Sequence, residues 1–199
     1  MALTQHQIDS AQIVYNILVD MGYNHTSAIG IIGNVHIEPM AVYSNDYDSL
    51  EDIPDGSTIL VSNNPAEEGR FLSFFVDAGL IEIEDGIEIQ DATFDDITEN
   101  PHDFNFDNNT APELLVSMYE NNEAPAVIIN ANFAIDADLN PVDDSIVVED
   151  GNSPYANLIA VRSGDEERPE LQRLIEVLQS DESKTFIEEN YNGTIIPAE

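Results

Sequence analysis

Three polar side chains stand where apolar runs typical of buried strands end. Asn130 directly follows the run 126–129, Arg70 follows the run 59–61 after a polar turn, and Asn157 closes the sequence Ser-Pro-Tyr-Ala-Asn. In α/β proteins, ligands bind where strands end, because the loops there expose side chains and backbone groups that a strand interior hides. A guanidinium is well suited to pairing with a carboxylate. The sequence therefore predicts a polar ligand site in which Arg70 faces a carboxylate.

Each of these side chains also has a purely structural interpretation. Arg70 lies beside Glu67 and Glu68, so it could neutralise a carboxylate on its own helix face. Asparagines at strand ends often hydrogen-bond backbone groups, which would explain Asn130 and Asn157 without any ligand. Both interpretations stay open at the level of sequence.

Hydrophobic patterning identifies the elements that must position these residues. Ile59–Ser62 is predicted as a strand, and Glu67–Ala78 as a helix that is apolar on most of its faces and ends at Gly79. The amino end of this helix supplies amide donors and the positive end of the helix dipole. An anionic ligand group is therefore favoured beside Arg70. Ala126–Ile129 is predicted as a second buried strand.

Several longer motifs are collinear with those of a known family. They are Val-His-Ile-Glu-Pro-Met-Ala-Val-Tyr-Ser (35–44), Asn-Asn-Pro-Ala-Glu-Glu-Gly-Arg (63–70), Ala-Gly-Leu-Ile (78–81), Ile-Asn-Ala-Asn-Phe-Ala (129–134) and Asp-Gly-Asn-Ser-Pro-Tyr-Ala-Asn (150–157). With these motifs, the chain from residue 35 onwards resembles the methionine-binding lipoproteins, which are substrate-binding components of ABC importers. The resemblance implies an α/β, type II periplasmic-binding-protein-like fold, methionine or a related amino acid as ligand, and an ABC transporter permease as partner. It also implies that Arg70 pairs with the ligand carboxylate, while Asn130 and Asn157 hydrogen-bond its polar ends.

This fold has two lobes, and the chain is expected to form one of them almost completely and the other only in part. Residues 44–130 are predicted to form a near-complete second lobe, whereas 35–43 and 131–199 form a partial first lobe without its opening portion. Residues 1–34 are predicted as a helical hairpin, with its second helix from 26 to about 32, that covers part of this lobe. Because most of a small ligand's affinity comes from enclosed apolar area, a partial lobe predicts weak methionine binding. Its exposed surface also predicts self-association.

Glu38 supports a different class of function. With the text of 28–38, residues 1–38 resemble the start of phage-tail lysozyme-like domains, in which two helices lead to a catalytic glutamate. Glycoside hydrolysis normally needs a second carboxylate and a sugar-binding groove, which one glutamate does not supply. The preferred prediction is therefore a binding protein that is not an enzyme and has no catalytic residue. A glycan-hydrolase remnant and a recombined scaffold without a ligand are the alternatives.

Neither a metal nor a cofactor is predicted. The acidic stretch 136–147 partly matches a calcium loop, but its sixth position is Pro141 instead of Gly and its twelfth is Val147 instead of Glu. The sequence contains no cysteine, which removes thiolate ligands, disulfides and the lipid-anchoring cysteine of the lipoproteins. By resemblance the protein belongs to the cell envelope, outside the cytoplasm. As written, the chain shows no secretion signal and would stay in the cytoplasm.

Charge also limits the possible partners. With 40 acidic and 5 basic residues, the formal net charge is −35 over 199 residues. Repulsion of this size excludes nucleic acids and anionic membranes. The Ile, Val and Leu residues follow strand and helix patterns, so the chain is predicted to fold and not to behave as a disordered acidic tail. A dense carboxylate surface indicates adaptation to high salt, where the repulsion is screened.

Overall fold

A computed structural model describes residues 29–149, 155–191 and 193–197. The chain divides into two compact units, Pro39–Asp150 and a second unit that combines Met1–Glu38 with Gly151–Glu199. In chain order, the strands are β1 (Ile29–Ile37), β2 (Ala41–Tyr43), β3 (Thr58–Ser62), β4 (Glu82–Ile83), β5 (Ile97–Glu99), β6 (Asn105–Thr110), β7 (Ala126–Ile129), β8 (Val147–Val148), β9 (Ala156–Arg162) and β10 (Ile196–Pro197), and the helices are α1 (Glu68–Asp77), α2 (Leu115–Glu120), α3 (Ala131–Asp136), α4 (Pro169–Leu178) and α5 (Asp181–Tyr191).

The unit Pro39–Asp150 is built on a five-stranded mixed sheet with the strand order β6-β3-β7-β2-β8. β3 runs parallel to both β6 and β7, with Ile59 opposite Ala126. β2 runs antiparallel to β7 and to β8, with Ala41 opposite Ile129. β8 therefore points in the same direction as β7 and β3, so these three strands end at one edge of the sheet.

Both faces of this sheet are buried. Successive residues of a strand point to opposite faces. Ile59 and Val61 of β3 pack with Phe71 and Phe75 of α1, whereas Leu60 packs in a separate cluster with Leu115 of α2. A strand between two covered faces needs a continuous apolar run, and all four residues of β7 are buried. This is why the run 126–129 shows no alternation in the sequence.

The second unit contains a three-stranded antiparallel sheet with the order β10-β1-β9. His36 on β1 lies opposite Asn157 on β9. Helix α4 packs onto β1 at Gly33, where an added Cβ would lie 2.7 Å from the side chain of Ile175. Ile175 is buried at this contact. The missing side chain of Gly33 thus allows the helix to approach the strand closely.

The described helices are short. The longest of them, α5, has 11 residues, and α1 has 10. None of the helices in the described ranges combines the length and the apolar character that crossing a bilayer requires.

The helical hairpin predicted for residues 1–34 is wrong over its last part. Residues 29–34 belong to strand β1, not to the second helix that was expected to end near Ile32. Their sequence, Ile-Gly-Ile-Ile-Gly-Asn, combines β-branched residues and glycines that disfavour a helix interior. Pairing with β9 satisfies the backbone groups instead. Residues 1–28, which hold the first predicted helix, lie outside the described residues.

The two compact units have different boundaries from the predicted lobes. Strand β2, helix α3 and strand β8 belong to the five-stranded unit, whereas 35–43 and 131–199 were predicted to belong to the first lobe. The position of β8 in the sheet is determined by its pairing with β2. Its two residues are too few to show a hydrophobic pattern from which the strand could be predicted. The division into one near-complete lobe and one partial lobe stays a prediction.

Candidate functional site

Three strand ends bring polar side chains to one edge of the five-stranded sheet. β3 ends at Ser62, Asn130 follows β7, and Glu149 follows β8. Glu67 and Arg70 join them from the turn and helix that come after β3. We call these five residues the sheet-end site. Its position at the ends of parallel strands is where α/β proteins commonly bind ligands.

Arg70 is the cationic group of the sheet-end site, and it forms an ion pair with Glu149. The Arg70 Nε donates to Glu149 Oε1 at 3.0 Å and to Oε2 at 3.1 Å, and Nη2 also donates to Oε2. The two side chains are only 10% and 9% exposed. The backbone N–H of Met40 donates to the same carboxylate at 3.0 Å. Burial of each charge is therefore offset by the other charge and by hydrogen bonds.

A second network, centred on Glu67, holds Asn130. The Asn130 Nδ2 donates to Glu67 Oε1 at 2.8 Å, and the Ser62 hydroxyl donates to Glu67 Oε2 at 2.9 Å. Ser62 is buried. The backbone carbonyl oxygen of Asn130 accepts from the backbone N–H groups of Phe133 and Ala134, because Asn130 immediately precedes α3. Both the main chain and the side chain of Asn130 are thus held in place.

The turn between β3 and α1 fixes the backbone from which Arg70 projects. The Asn64 side chain accepts from the N–H of Ala66 at 3.2 Å, which caps the short 3-10 helix Pro65–Glu67. An added Cβ on Gly69 would lie 2.0 Å from the Ile89 carbonyl oxygen. Glycine at this position therefore lets the first turn of α1 pack directly on the backbone of the 89–91 segment.

Asn157 lies in the other unit, beside His36 and Glu38. The His36 Nε2 is 3.0 Å from Glu38 Oε1 and 3.3 Å from Asn157 Nδ2. A carboxylate can only accept, so this imidazole nitrogen carries a proton. The amide oxygen of Asn157, and not its NH2 group, is then the suitable neighbour for the ring, and amide orientations are assigned by such networks.

The sequence-predicted residues are therefore divided between the two units. Arg70 and Asn130 share the sheet-end site, whereas Asn157 belongs to the other unit. The buried ion pair of Arg70 is with Glu149, while Glu68, one of the two expected partners, accepts from the N–H of Phe94 at 3.1 Å. Among the described residues, the side-chain amides of Asn130 and Asn157 contact the side chains of Glu67 and His36.

Three members of the sheet-end site, Ser62, Glu67 and Glu149, were not predicted as site residues from the sequence. Glu149 directly follows the strand β8, which is the same pattern that singled out Asn130. Among 40 acidic residues, however, one glutamate after an apolar run does not stand out. Glu67 lies within a matched motif, but its hydrogen bonds to Ser62 and Asn130 depend on which strands are neighbours in the sheet.

The polar groups of the sheet-end site can bind a charged ligand. The site offers a guanidinium, a side-chain amide and two carboxylates, which suit a ligand that carries both charges. Within the described ranges, no group of three or more His, Cys, Asp or Glu side chains is placed to hold a metal ion. In the acidic stretch 136–147, the backbone N–H and the side-chain NH2 of Asn140 donate to Asp144 and Asp143, each at 2.7 Å.

The profile of the family described as NlpA lipoprotein matches residues 1–199. The chain belongs to the NlpA lipoprotein family. One relative is the methionine-binding lipoprotein MetQ of Bacillus subtilis, which is 49% identical over 166 residues, covering 83% of this chain and 60% of the relative. Another is the D-methionine-binding lipoprotein MetQ of Escherichia coli, 34% identical over 88% of this chain and 63% of the relative. The chain thus spans about three fifths of the length of these NlpA relatives.

A solved structure of another binding protein shows the same fold. A nutrient-binding protein from Burkholderia cenocepacia, bound to methionine, matches with a TM-score of 0.79 at 33% identity, over 94% of this chain and 75% of that one. The α/β, type II periplasmic-binding-protein-like fold expected from the resemblance is confirmed. The names of these relatives describe binding proteins, which favours the binding interpretation over the glycan-hydrolase alternative built on Glu38.

Proposed function

We propose that the chain binds methionine or a related amino acid as the substrate-binding component of an ABC importer. The observation that carries this proposal is the buried Arg70 guanidinium, held at the edge where three strands of the sheet end. A buried cation at such an edge suits a carboxylate ligand. The protein binds and releases this ligand without changing it.

The two ends of an amino acid have separate partners in this proposal. In this proposal Arg70 pairs with the α-carboxylate, because a planar guanidinium suits bidentate pairing with a carboxylate. Asn130 lies on the same sheet edge and accepts a hydrogen bond from the α-ammonium group through its amide oxygen. As the family resemblance implies, Asn157 hydrogen-bonds a polar end of the ligand.

Family membership supports the remaining parts of the proposal. Relatives of the chain are named for methionine or D-methionine binding, and one neighbouring structure holds methionine. By the same resemblance, the protein acts in the cell envelope and delivers its ligand to a transporter permease. The weak affinity and the self-association expected from the sequence stay predictions.

Isothermal titration calorimetry with L-methionine tests the proposal. Arg70→Lys keeps the positive charge but loses the bidentate geometry, so it should weaken binding about tenfold or more, as expected for a charge-assisted hydrogen bond. Arg173→Ala is the matched control, because the side chain of Arg173 is 74% exposed and lies on α4 of the other unit. Absence of binding by the parent protein would contradict the proposed function. Equal affinities of parent and Arg70→Lys would remove Arg70 from the site, and micromolar affinity of the parent would contradict the predicted weakness.

A further inference from the structure

We infer that Glu67 is a positioning residue: it fixes which end of the Asn130 amide faces a ligand, and it thereby selects ligands that carry a primary ammonium group. The inference rests on the proposed function, because it assigns the specificity of that same site. It concerns only residues of the unit Pro39–Asp150.

The geometry around Glu67 leaves the Asn130 amide one orientation. The amide atom of Asn130 closest to Glu67 lies 2.8 Å from Oε1. An ionised carboxylate has no proton to donate, so this atom must be the NH2 nitrogen. The amide oxygen then points to the opposite side of the planar group. A neutral partner such as glutamine would impose no such choice, because its own amide can donate or accept.

Glu67 is itself held firmly enough to act in this way. Its second carboxylate oxygen accepts from the hydroxyl of Ser62, which is 1% exposed and lies at the end of β3, an interior strand of the sheet. The Ser62 oxygen also accepts from the backbone N–H of Asn64 at 3.3 Å. The carboxylate is therefore anchored to the sheet on one side while it orients Asn130 on the other.

The orientation of Asn130 decides which ligand group the site can satisfy. A primary ammonium has three donors and no acceptor, so it pairs with an amide oxygen and not with an NH2 group. A ligand without the ammonium gains nothing from that oxygen and leaves it without a partner, which is costly in a partly buried site. The arrangement thus distinguishes ligands that carry an α-amino group from ligands that lack it, whatever the side chain of the ligand.

The orientation can be tested without any ligand. In a 15N-edited NMR spectrum, the side-chain NH2 signals of Asn130 are identified by their loss in Asn130→Ser. We expect the proton that donates to Glu67 to move upfield in Glu67→Gln and to stay unchanged in Glu68→Gln, the matched control on the neighbouring residue. Unchanged Asn130 signals in Glu67→Gln would overturn the inference, whether or not methionine binds.

Selectivity is tested with L-methionine and 4-(methylthio)butanoic acid, which lacks only the amino group. In the parent protein methionine should bind more tightly, and Glu67→Gln should reduce the ratio of the two affinities about tenfold, the loss expected for one hydrogen bond to a charged group. Equal weakening of both compounds would indicate a merely structural role and overturn the inference.

Glu67→Asp separates positioning from simple attraction between charges. It keeps the negative charge, but its shorter side chain cannot reach both Ser62 and Asn130. Positioning predicts that Glu67→Asp loses discrimination as Glu67→Gln does, whereas retained discrimination would mean that the charge alone attracts the ammonium and would overturn the inference. If the parent binds neither compound, both the proposed function and the proposed selectivity are wrong. The NMR experiment still shows in that case whether Glu67 orients Asn130.

Discussion

Arg70 and Glu149 form a buried ion pair across 79 positions of the sequence. The pair joins the first turn of α1 to the end of β8, and the N–H of Met40 ties the same carboxylate to the start of β2. Separate elements of the unit Pro39–Asp150 thus meet at this contact. The pair has a structural role of its own, in addition to presenting a guanidinium at the sheet edge.

Glu149→Gln should lower the free energy of unfolding by about 3–5 kcal/mol, because it removes the carboxylate charge that pairs with the buried guanidinium. The double variant Arg70→Met with Glu149→Met should cost less than either single methionine substitution, since no charge remains to be buried. Urea unfolding of the set provides the measurement. Glu120→Gln, the same charge change at an exposed position, is the control and should stay within about 0.5 kcal/mol of the parent. A loss in Glu149→Gln no larger than in this control would contradict the structural role.

Gly69→Ala should destabilise the protein even though alanine is the better helix former. Propensity alone would favour Ala by about 1 kcal/mol inside a helix. The added Cβ would lie 2.0 Å from the Ile89 carbonyl oxygen, so either α1 or the 89–91 segment must shift. Gly86→Ala is the comparison, because its positive φ of 90° costs strain but no atom lies within 4 Å. Thermal unfolding should show the larger loss for Gly69→Ala, and a stabilised Gly69→Ala would contradict the close approach.

The sequence was sufficient to predict the strand ends of the central sheet. The runs 59–61 and 126–129 are apolar enough to be identified as buried strands, and the polar residues after them do lie at one sheet edge. The partner of Arg70 was not predictable in this way. Glu149 reaches it only because β8 pairs with β2, and a two-residue strand carries no periodicity of its own.

The misassigned segment 29–34 shows a second limit. Its isoleucines and glycines fit neither a regular helix pattern nor a regular strand alternation, and the pairing of β1 with β9 contains two irregularities in register. Such a strand is stabilised by its partner, which lies more than 120 positions away in the sequence. Local propensity therefore gave little information about this segment.

Tyr43→Phe should keep or increase stability, by up to about 1–2 kcal/mol, because it removes a buried hydroxyl. Tyr43 is fully buried, and no described residue forms a hydrogen bond with its hydroxyl. Burial, and secondarily the negative charge of Asp144, raises the pKa of Tyr43. Unfolding curves at neutral pH, with the half-buried Tyr119→Phe as control, test this expectation. A clear loss of stability in Tyr43→Phe would reveal a partner for the hydroxyl.

The raised pKa of Tyr43 has a consequence at alkaline pH. The folded state holds the phenol proton more tightly than the unfolded chain, whose tyrosines ionise near pH 10. This contribution to stability is therefore present below about pH 10 and is lost as the pH rises through the folded value. Stability should fall less steeply above pH 10 in Tyr43→Phe than in the parent, and identical pH profiles would contradict the assignment.

Thr93→Val should raise the pKa of Asp96 towards its ordinary value. The Thr93 hydroxyl and, secondarily, the Thr93 N–H donate to Asp96 Oδ2 at 2.8 and 2.7 Å, which lowers this pKa. The variant removes the first bond and keeps the second, so only part of the shift should disappear. Because the folded pKa is depressed, the contribution to stability is present above the unfolded pKa and is lost as the pH falls through the folded one. Carboxyl titration by NMR, with Thr98→Val as control, should show the change in Thr93→Val alone.

Added salt should raise the melting temperature of the protein. The net charge of −35 means that the carboxylates repel one another, and this repulsion is strongest in the compact folded state. The Debye length falls from about 10 Å at 0.1 M to about 3 Å at 1 M salt, so this repulsion is largely screened by molar KCl. Glycerol is the uncharged control, because it changes solvation without screening. The buried Arg70–Glu149 pair is shielded from this effect, so Glu149→Gln should show the same rise from a lower starting temperature. A melting temperature that stays constant between dilute buffer and molar KCl would contradict the adaptation to high salt.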